Sequence, residues 1–213
     1  MKKIVLLGAG GHCKVIIDII RSNKNYKIIG ITNKDNGGNE ICDIPIIGKD
    51  DLLKGCFDSG VENAFIALGG LEDRGIRNKL FNMAKVLGYK IPALIHAKAI
   101  VSSHASIGEG TCVMPGVIIN SGVCIGKNCI INSGAVIEHD CVIGNNTHIS
   151  PNVSIAGGVK IGNDTHIGIG STVIQNLSIG CNVTIGAGAV VIDNIKSGVV
   201  AVGIPAKIIR EMI

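Results

Sequence analysis

The residues best suited to chemistry in this 213-residue chain are Glu138, His139 and Asp140, which follow one another directly. A histidine can accept a proton from a nucleophile at neutral pH, and a neighbouring carboxylate can hold its tautomer and raise its basicity. Gly157 lies eighteen residues after His139, and a glycine amide can donate a hydrogen bond to a developing oxyanion. A base and an amide donor are the minimum requirement for acyl transfer, if the fold brings them together. The alternative is that His139 is simply a polar residue on an exposed face.

A repeat with a period of six residues would bring these residues together. Every sixth position from residue 95 to residue 191 is Ile or Val, and glycines recur every eighteen residues from Gly108 to Gly180. A period of six fits neither a helix nor a flat strand, whereas a chain that turns a corner every six residues and closes a coil after eighteen explains it. Stacked coils lie about 4.8 Å apart. We therefore expect about five coils, with Gly157 one coil along from His139.

The composition agrees with a core of small aliphatic side chains. Aromatic residues make up 2% of the chain and hydrophobic residues 46%, which suits β-structure built from Ile and Val and excludes disorder. No apolar run approaches the ~18 residues of a membrane span. A net charge of +4, without a run of Lys and Arg, argues against nucleic acid. We expect neither a membrane nor a nucleic acid as partner.

The first ninety residues lack the repeat and alternate strand and helix. Apolar strands are predicted at 3–7, 27–32 and 64–68, with helices after the first and third strands, the latter from about 72 to 87. This pattern is typical of a small Rossmann-like β-α-β unit with a parallel sheet. We therefore predict an α/β domain over residues 1–90, and an all-β domain over 91–213 that consists of the coil and a C-terminal tail.

A glycine-rich turn, Gly8-Ala9-Gly10-Gly11-His12, connects the first strand to its helix. Backbone N–H groups at such a helix start can bind a phosphate, although glycine turns also serve tight strand-to-helix packing. Cys13 stands where a dinucleotide fingerprint has its last glycine, and no acidic residue ends the second strand, which closes with Thr32 and Asn33. The turn therefore predicts a nucleotide or phosphorylated ligand, or only a structural role, and disfavours a nicotinamide enzyme.

His148 and His166 are also eighteen residues apart, so they should stack on neighbouring coils. Stacked histidines suggest a metal site, contact with a cofactor, or surface exposure. A zinc site of the kind found on this type of coil needs two histidines about five residues apart, which His139 and His148 are not. We therefore predict no metal. The eight cysteines include no CxxC pair and are interpreted as buried or free thiols in a reducing cytoplasm.

The chain as a whole resembles the sugar O-/N-acetyltransferase family of bacterial glycan pathways. Its members are hexapeptide-repeat acyltransferases and include sialic acid O-acetyltransferases and UDP-4-amino-sugar N-acetyltransferases. The resemblance is carried by the glycine turn at residues 8–12, Ile95-His96, Asn132, the run from Glu138 to Gly144, the run from Ala156 to Val159, and the run from Val202 to Lys207. It implies that the coil is a left-handed parallel β-helix and that the protein is a homotrimer.

The resemblance also implies a role for individual residues. It makes His139 the general base and Asp140 the residue that tunes it. Acetyl-CoA would lie along the coil between neighbouring subunits, and the nucleotide sugar would be held by the first domain and by an asparagine of the coil. The implied acetyl-CoA contacts are His148, Gly157, Ile169 and Ala187, and the implied sugar-nucleotide contacts are Gly10, Gly11, His12, Gly69 and Asn132.

These features predict an acetyl-CoA-dependent N-acetyltransferase acting on a nucleotide-linked amino sugar, such as a UDP-4-amino-4,6-dideoxy hexose, in glycan or polysaccharide biosynthesis. Thr32 and Asn33 stand where UDP-sugar members carry paired aspartates, so GDP and TDP remain open. One alternative is O-acetylation of sialic acid or another sugar hydroxyl, because an amine and a hydroxyl need the same base. A second alternative is a non-catalytic binding scaffold.

Overall fold

The computed structural model of the chain describes residues 1–34, 39–70 and 74–212. The chain divides into two units, Met1–Ala97 and Lys98–Ile213. In the described part of the first unit, strands and helices follow one another in this order: β1 (Lys2–Leu7), α1 (Gly11–Asn23), β2 (Tyr26–Thr32), β3 (Glu40–Ile41), β4 (Ile44–Gly48), a 3₁₀ turn (Asp50–Leu52), α2 (Leu53–Asp58), β5 (Asn63–Ile66) and α3 (Arg74–Val86).

Strands β1 to β5 form one sheet in the order β3-β4-β2-β1-β5, parallel except for the β3–β4 pair. Strand β1, which lies between β2 and β5, is fully buried from Ile4 to Leu7, as expected for a parallel strand covered on both faces. Helix α1 buries its apolar stripe, including Ile16 and Ile20. The predicted β-α-β unit is confirmed. The strand pair β3–β4 and helix α2 were not predicted, and residues 71–73 of the predicted third-strand loop and helix lie outside the described residues.

Between residues 94 and 191, which the structure describes throughout, the chain forms a series of two-residue strands spaced six residues apart. The second residue of each strand is one of the repeated Ile or Val residues. The strands are β6 (Leu94–Ile95), β7 (Ile100–Val101), β8 (Ser106–Ile107), β9 (Cys112–Val113), β10 (Ile118–Ile119), β11 (Cys124–Ile125), β12 (Ile130–Ile131), β13 (Val136–Ile137), β14 (Val142–Ile143), β15 (His148–Ile149), β16 (Ser154–Ile155), β17 (Lys160–Ile161), β18 (His166–Ile167), β19 (Thr172–Val173), β20 (Ser178–Ile179), β21 (Thr184–Ile185) and β22 (Val190–Val191).

These strands build a three-sided prism in which every pairing joins residues eighteen apart, for example Ile118 with Val136. The first face holds β7, β10, β13, β16, β19 and β22, and the second face holds β8, β11, β14, β17 and β20. The third face holds β9, β12, β15, β18 and β21. This architecture confirms the predicted left-handed parallel β-helix with an 18-residue coil. Strand β6 falls within the first unit, where Ser22 and Asn23 at the end of α1 hydrogen-bond to Ala97 and Ile95.

The glycines that recur every eighteen residues are required by the stacking of the coils. A Cβ on Gly144 would lie 2.6 Å from the backbone nitrogen of Asn163, and one on Gly162 would lie 2.5 Å from that of Cys181. Both distances are far inside van der Waals contact, so only glycine fits. Other corner positions adopt a left-handed backbone, at Asn128 and Asp140 among others, which Asn, Asp and Gly tolerate best.

The coil ends in an antiparallel hairpin of β23 (Val199–Val202) and β24 (Lys207–Glu211). Strand β23 continues the third face by pairing with β21. None of the helices within residues 1–34, 39–70 and 74–212 is both long and apolar enough to cross a membrane.

Candidate active site

The predicted catalytic residues lie together on one edge of the prism, between the first and second faces. His139 and Asp140 follow β13, and Gly157 occupies the same position one coil along, after β16. We call this line of residues the His139 edge. The side chains of His139 and Asp140 are 65% and 73% exposed, so a substrate can reach them from solvent.

The imidazole of His139 is oriented by the next residue. Its Nδ1 lies 2.8 Å from Oδ2 of Asp140, and a carboxylate at this distance selects the tautomer in which Nδ1 carries the proton and donates it. Asp140 itself occupies a corner with φ 59°, and its amide is fixed by the carbonyl of Ser121. The rigid corner therefore holds the carboxylate in place and leaves Nε2 of His139 as a proton acceptor.

Gly157 lies directly beside this acceptor. A Cβ on Gly157 would be 2.6 Å from Nε2 and 2.7 Å from Cε1 of His139, so any side chain here would displace the ring. No carbonyl within the described ranges accepts from the Gly157 amide. Lys127 holds the matching hexapeptide position on the edge between the second and third faces, and its amide donates a hydrogen bond to Oδ1 of Asn145. Gly157 thus leaves an open N–H donor next to the base, as the sequence predicts.

Two neighbours of His139 have structural roles that limit what they can do. Glu138 accepts a hydrogen bond from Nδ2 of Asn120 at 2.8 Å, one coil away. Cys141 is buried, and burial raises the pKa of its thiol, which donates to the carbonyl of Ala156. A neutral, buried thiol is not a nucleophile. Cys141 is therefore not suited to act as the nucleophile of an acyl transfer at this edge.

A second group of predicted residues lies on a different edge, between the third and first faces, which we call the Ile169 edge. Ile169 and Ala187 are exposed there, one coil apart. Asn132 belongs to the same edge, and its Nδ2 lies 3.2 Å from Nε2 of His148 on the adjoining third face. The structure thus brings Asn132 and His148 together, although the resemblance assigned one to the sugar nucleotide and the other to acetyl-CoA.

The stacked histidines of the third face are held by hydrogen bonds. The rings of His148 and His166 lie 5.2 Å apart, and Nε2 of His166 is 2.7 Å from the hydroxyl of Ser150. Within the ranges that the structure describes, no three His, Cys, Asp or Glu side chains are close enough to hold a metal ion. His148 and His166 thus form a column of stacked polar side chains beside the Ile169 edge.

The first face separates the two edges, and four of its six outward positions are aliphatic. The other two, Ser154 and Thr172, are exposed polar residues. Ile100 is 68% exposed, and Ile118, Val136 and Val190 are partly exposed on the same face. The His139 edge and the Ile169 edge are the two borders of this apolar face.

In the first unit, the glycine turn has the features of an anion site. Gly10 is the N-cap of α1 and has no side chain to cap the helix. For Gly10 and Gly11, and for Gly69 beyond β5, no atom of the described chain lies within 4 Å of where a Cβ would stand. The register pairs Leu7 of β1 with Ile66 of β5, so both loops leave the same end of the sheet. The open amides of a helix start can bind a phosphate here.

Two residues near the turn were missed by the sequence analysis. Arg77 of α3 is buried, and its Nη1 donates to the carbonyl of Ile66 at 2.8 Å and to that of Leu68 at 2.7 Å. Burial, and then the charge of Arg77, lowers the pKa of His12 from 6.5 to about 3, so the ring is neutral at physiological pH. From the resemblance, the stretch from Gly69 to Arg77 is longer than is usual in the family and borders the implied nucleotide pocket, but this gives the arginine itself no role.

Asp50 is the second residue that was missed. The hydroxyl of Thr32, buried at the end of β2, donates to Oδ1 of Asp50 at 2.5 Å. A carboxylate therefore does reach the end of the second strand, but it comes from the 3₁₀ turn after β4. Sequence inspection could not have placed it there, because the two residues are eighteen positions apart outside the repeat.

Both parts of the chain match known protein families. Residues 3–84 match the PglD N-terminal domain, and residues 93–139 and 140–175 match the bacterial transferase hexapeptide family of six repeats.

Solved structures extend this similarity over nearly the whole chain. PerB from Caulobacter crescentus, in complex with CoA and GDP-perosamine, is 36% identical, with 98% of this chain and 97% of that chain covered and a TM-score of 0.92. Two variants of the GDP-perosamine N-acetyltransferase from Caulobacter crescentus, with a histidine replaced by Asn or Ala, have also been solved with CoA and GDP-perosamine. The acetyltransferase domain of PglB from Neisseria gonorrhoeae FA1090 is 33% identical, with 98% and 100% covered and a TM-score of 0.90, and has been solved with acetyl coenzyme A at a TM-score of 0.89.

Proposed function

Since the chain belongs to the acetyl-CoA-dependent sugar acetyltransferases of the hexapeptide-repeat family, we propose that it acetylates the amine of a nucleotide-linked 4-amino-4,6-dideoxy sugar. The observation that carries the proposal is the cluster on the His139 edge, where Nε2 of His139 faces the backbone of Gly157 and Nδ1 is bound to Asp140. The relatives that act on or bind GDP-perosamine favour an amine over a hydroxyl as the acceptor.

The reaction begins with the removal of protons from the acceptor. An amine reaches the site as an ammonium ion and first releases one proton to solvent. The free amine then attacks the thioester carbonyl carbon of acetyl-CoA, and Nε2 of His139 takes the second proton as the N–C bond forms. The carboxylate of Asp140, 2.8 Å from Nδ1, stabilises the imidazolium that results.

The thioester oxygen becomes an oxyanion when the amine attacks. The Gly157 amide donates to it, since no carbonyl in the described part of the chain occupies this N–H. Collapse of the tetrahedral intermediate breaks the C–S bond, and the imidazolium of His139 returns its proton to the CoA sulfur. The products are the acetamido sugar, CoA thiol and the proton released at the start.

The nucleotide part of the acceptor is assigned to the glycine turn. At Gly10, Gly11 and Gly69 the space that a Cβ would fill is empty, so a diphosphate can approach the backbone closely there, and His12 can share a neutral hydrogen bond with it. Asp50 meets Thr32 at the end of β2, where an acidic residue of a Rossmann-like unit contacts the ribose and where UDP-sugar members of the family carry paired aspartates. Uracil stays the predicted base, and guanine is the first alternative because a relative binds GDP-perosamine.

Steady-state kinetics test this function directly. Purified protein is incubated with acetyl-CoA and either the UDP-, GDP- or TDP-linked 4-amino sugar or free sialic acid, and the released CoA thiol is measured. We expect kcat/KM for one nucleotide-linked amine to exceed that for sialic acid by more than tenfold. Sialic acid as the better substrate by that margin would replace the amine with a hydroxyl acceptor. Absence of turnover with the whole panel would favour a binding scaffold.

We further propose that the working unit is a homotrimer. If the first face of each copy turns toward a common threefold axis, the His139 edge of one copy lies beside the Ile169 edge of the next. The exposed aliphatic side chains of the first face, such as Ile100, would then be buried between subunits. Acetyl-CoA would lie between the two edges and contact His148, Ile169 and Ala187 of one subunit and Gly157 of its neighbour.

We place this reaction in the cytoplasm, as a step in bacterial glycan or polysaccharide biosynthesis. All eight cysteines are free thiols, and several of them, such as Cys124, are exposed. Free exposed thiols persist in a reducing compartment.

A further inference from the structure

The feature that the proposed chemistry leaves unused is the buried charge of Arg77. Arg77 is only 4% exposed, and arginine is rarely buried to this extent. One nitrogen, Nη1, donates to the carbonyls of both Ile66 and Leu68. These two carbonyls end β5 and begin the loop that leads to Gly69. Arg77 therefore ties helix α3 to this loop and keeps a permanent positive charge inside the first unit.

The loop held by Arg77 packs directly on the glycine turn. The amide of Ala67 donates to the carbonyl of Leu7 at 2.7 Å, and a Cβ on Gly8 would collide with the side chain of Leu68. Gly8 has a φ of 106°, which only glycine adopts readily. The shape of the turn therefore depends on the position of Leu68, and the position of Leu68 depends on Arg77.

The charge of Arg77 also acts electrostatically on the glycine turn. It is one of the two causes that lower the pKa of His12, the residue that completes the turn. An interaction between a buried cation and a group near it is screened less than one at the surface. The same field acts on any ion that occupies the turn, and it favours an anion.

We propose that Arg77 is a positioning residue of the nucleotide site, which fixes the Leu68–Gly69 loop against the glycine turn and supplies buried positive charge for a bound diphosphate. The inference rests on the proposed function, because it assumes a nucleotide-linked acceptor. Arg77 acts through the loop and through its field, so it determines affinity for the nucleotide and leaves the acetyl transfer step unchanged.

Binding of free nucleotides separates this role from catalysis. The dissociation constants of UDP, GDP and TDP are measured by calorimetry for the wild type, Arg77→Gln and Arg77→Lys. The matched control is Lys79→Gln, which removes an equal charge from an exposed position of α3. We expect Arg77→Gln to weaken the tightest nucleotide at least tenfold, and Arg77→Lys, which keeps the charge but loses the planar fork, about threefold. The control should bind as the wild type does.

Three further measurements distinguish this role from a purely structural one. The KM for the nucleotide sugar should rise with the nucleotide dissociation constant, while the KM for acetyl-CoA and kcat stay within twofold. The His12 ring, followed by NMR, should titrate at higher pH in Arg77→Gln than in the wild type. Thermal melting shows that each variant is folded, and Arg77→Lys carries the test if Arg77→Gln does not fold.

The outcomes separate the two proposals. Equal nucleotide affinity in folded Arg77 variants and wild type would overturn the role of Arg77 and leave the proposed function intact. An equal loss of nucleotide and acetyl-CoA affinity would also overturn it, since that pattern indicates general destabilisation. A wild type that binds none of the three nucleotides would overturn the nucleotide-linked acceptor, and this inference with it.

Discussion

His139 presents two different ring nitrogens to its surroundings. Nδ1 is bound to Asp140 at 2.8 Å, and Nε2 faces the backbone of Gly157. The acid that orients the base is the next residue in the chain and occupies a left-handed corner. In the proposed mechanism, a single corner of the coil therefore supplies the base and its orienting group, and the next coil supplies the oxyanion donor.

We predict that His139→Ala lowers kcat at pH 7 by about 10²-fold, within the usual worth of a general base. The loss should persist at pH 9, because His139 takes the proton that leaves as the N–C bond forms, and a free amine still carries that proton. The dissociation constant of acetyl-CoA should change little, because the ring acts on the proton of the acceptor. Near-wild-type kcat at pH 7 in the variant would remove His139 as the base.

The lowered pKa of His12 makes the stability of the protein depend on pH. The pKa of His12 is lowered to about 3 in the folded chain from its ordinary value of 6.5, so between these values the unfolded chain binds a proton that the folded chain does not. The free energy of unfolding must therefore fall as the pH is lowered through this window, by at most roughly 1.4 kcal/mol per pH unit from this group. In urea titrations at pH 7 and pH 5, His12→Asn should lose about 1–2 kcal/mol less than the wild type. Equal losses would show that His12 is accessible to protons in the folded state.

At the scale of the elements, glycines serve two separate purposes in the coil. Gly144 is required by backbone stacking, because a Cβ would lie 2.6 Å from the nitrogen of Asn163. Gly157 is required by the site, because a Cβ would meet the ring of His139. A side-chain ring at an exposed corner can move, whereas a stacked coil cannot.

This difference leads to a paired prediction. The free energy of unfolding of Gly157→Ala should lie within about 1 kcal/mol of the wild-type value. Its kcat should fall at least tenfold, because the added methyl group displaces the His139 ring from the position in which it meets the substrate. Gly144→Ala should lose about 2 kcal/mol or more of stability through overpacking. Denaturant titration and steady-state kinetics of both variants provide the test. Full activity in a folded Gly157→Ala would show that the contact with His139 is dispensable.

At the scale of the whole molecule, the predicted site is divided between two borders of the first face. His139, Asp140 and Gly157 occupy one edge, while Ile169 and Ala187 occupy the other. In a trimer each site combines the His139 edge of one subunit with the Ile169 edge of the next. In a monomer the two edges stay on opposite borders of one apolar face.

Mixed trimers test this arrangement. A His139→Ala subunit and an Ile169→Asp subunit should each be inactive alone, the second because a charge replaces the exposed apolar contact. Unfolded together and refolded at equal amounts, they should recover about a quarter of the wild-type activity, since three quarters of random trimers are mixed and each has one intact site. A site built from one chain would recover nothing, and light scattering of the wild type at a monomer mass would contradict the trimer itself.

The prediction from sequence succeeded where the repeat applies. Because each coil has 18 residues, two residues that are 18 positions apart in the sequence lie on neighbouring coils. His139 and Gly157 could therefore be placed beside each other from their residue numbers alone. The same counting placed His148 next to His166. It did not pair Asn132 with His148, since their contact crosses from an edge to a face through a side-chain hydrogen bond.

The amino-acid sequence by itself determined the coil, its period and the placement of His139 beside Gly157, because similar short units repeat the same local geometry and leave one register. Only the tertiary structure decided the surroundings of the glycine turn. Arg77 lies beneath its neighbouring loop, and Asp50 meets Thr32 at the end of β2. These contacts join segments that share no period, and they depend on how a helix and a 3₁₀ turn pack on the sheet. A periodic sequence pattern predicts which residues contact each other across the coils. The burial of a single arginine such as Arg77 follows from no such pattern, because the carbonyls that it binds are found only in the tertiary structure.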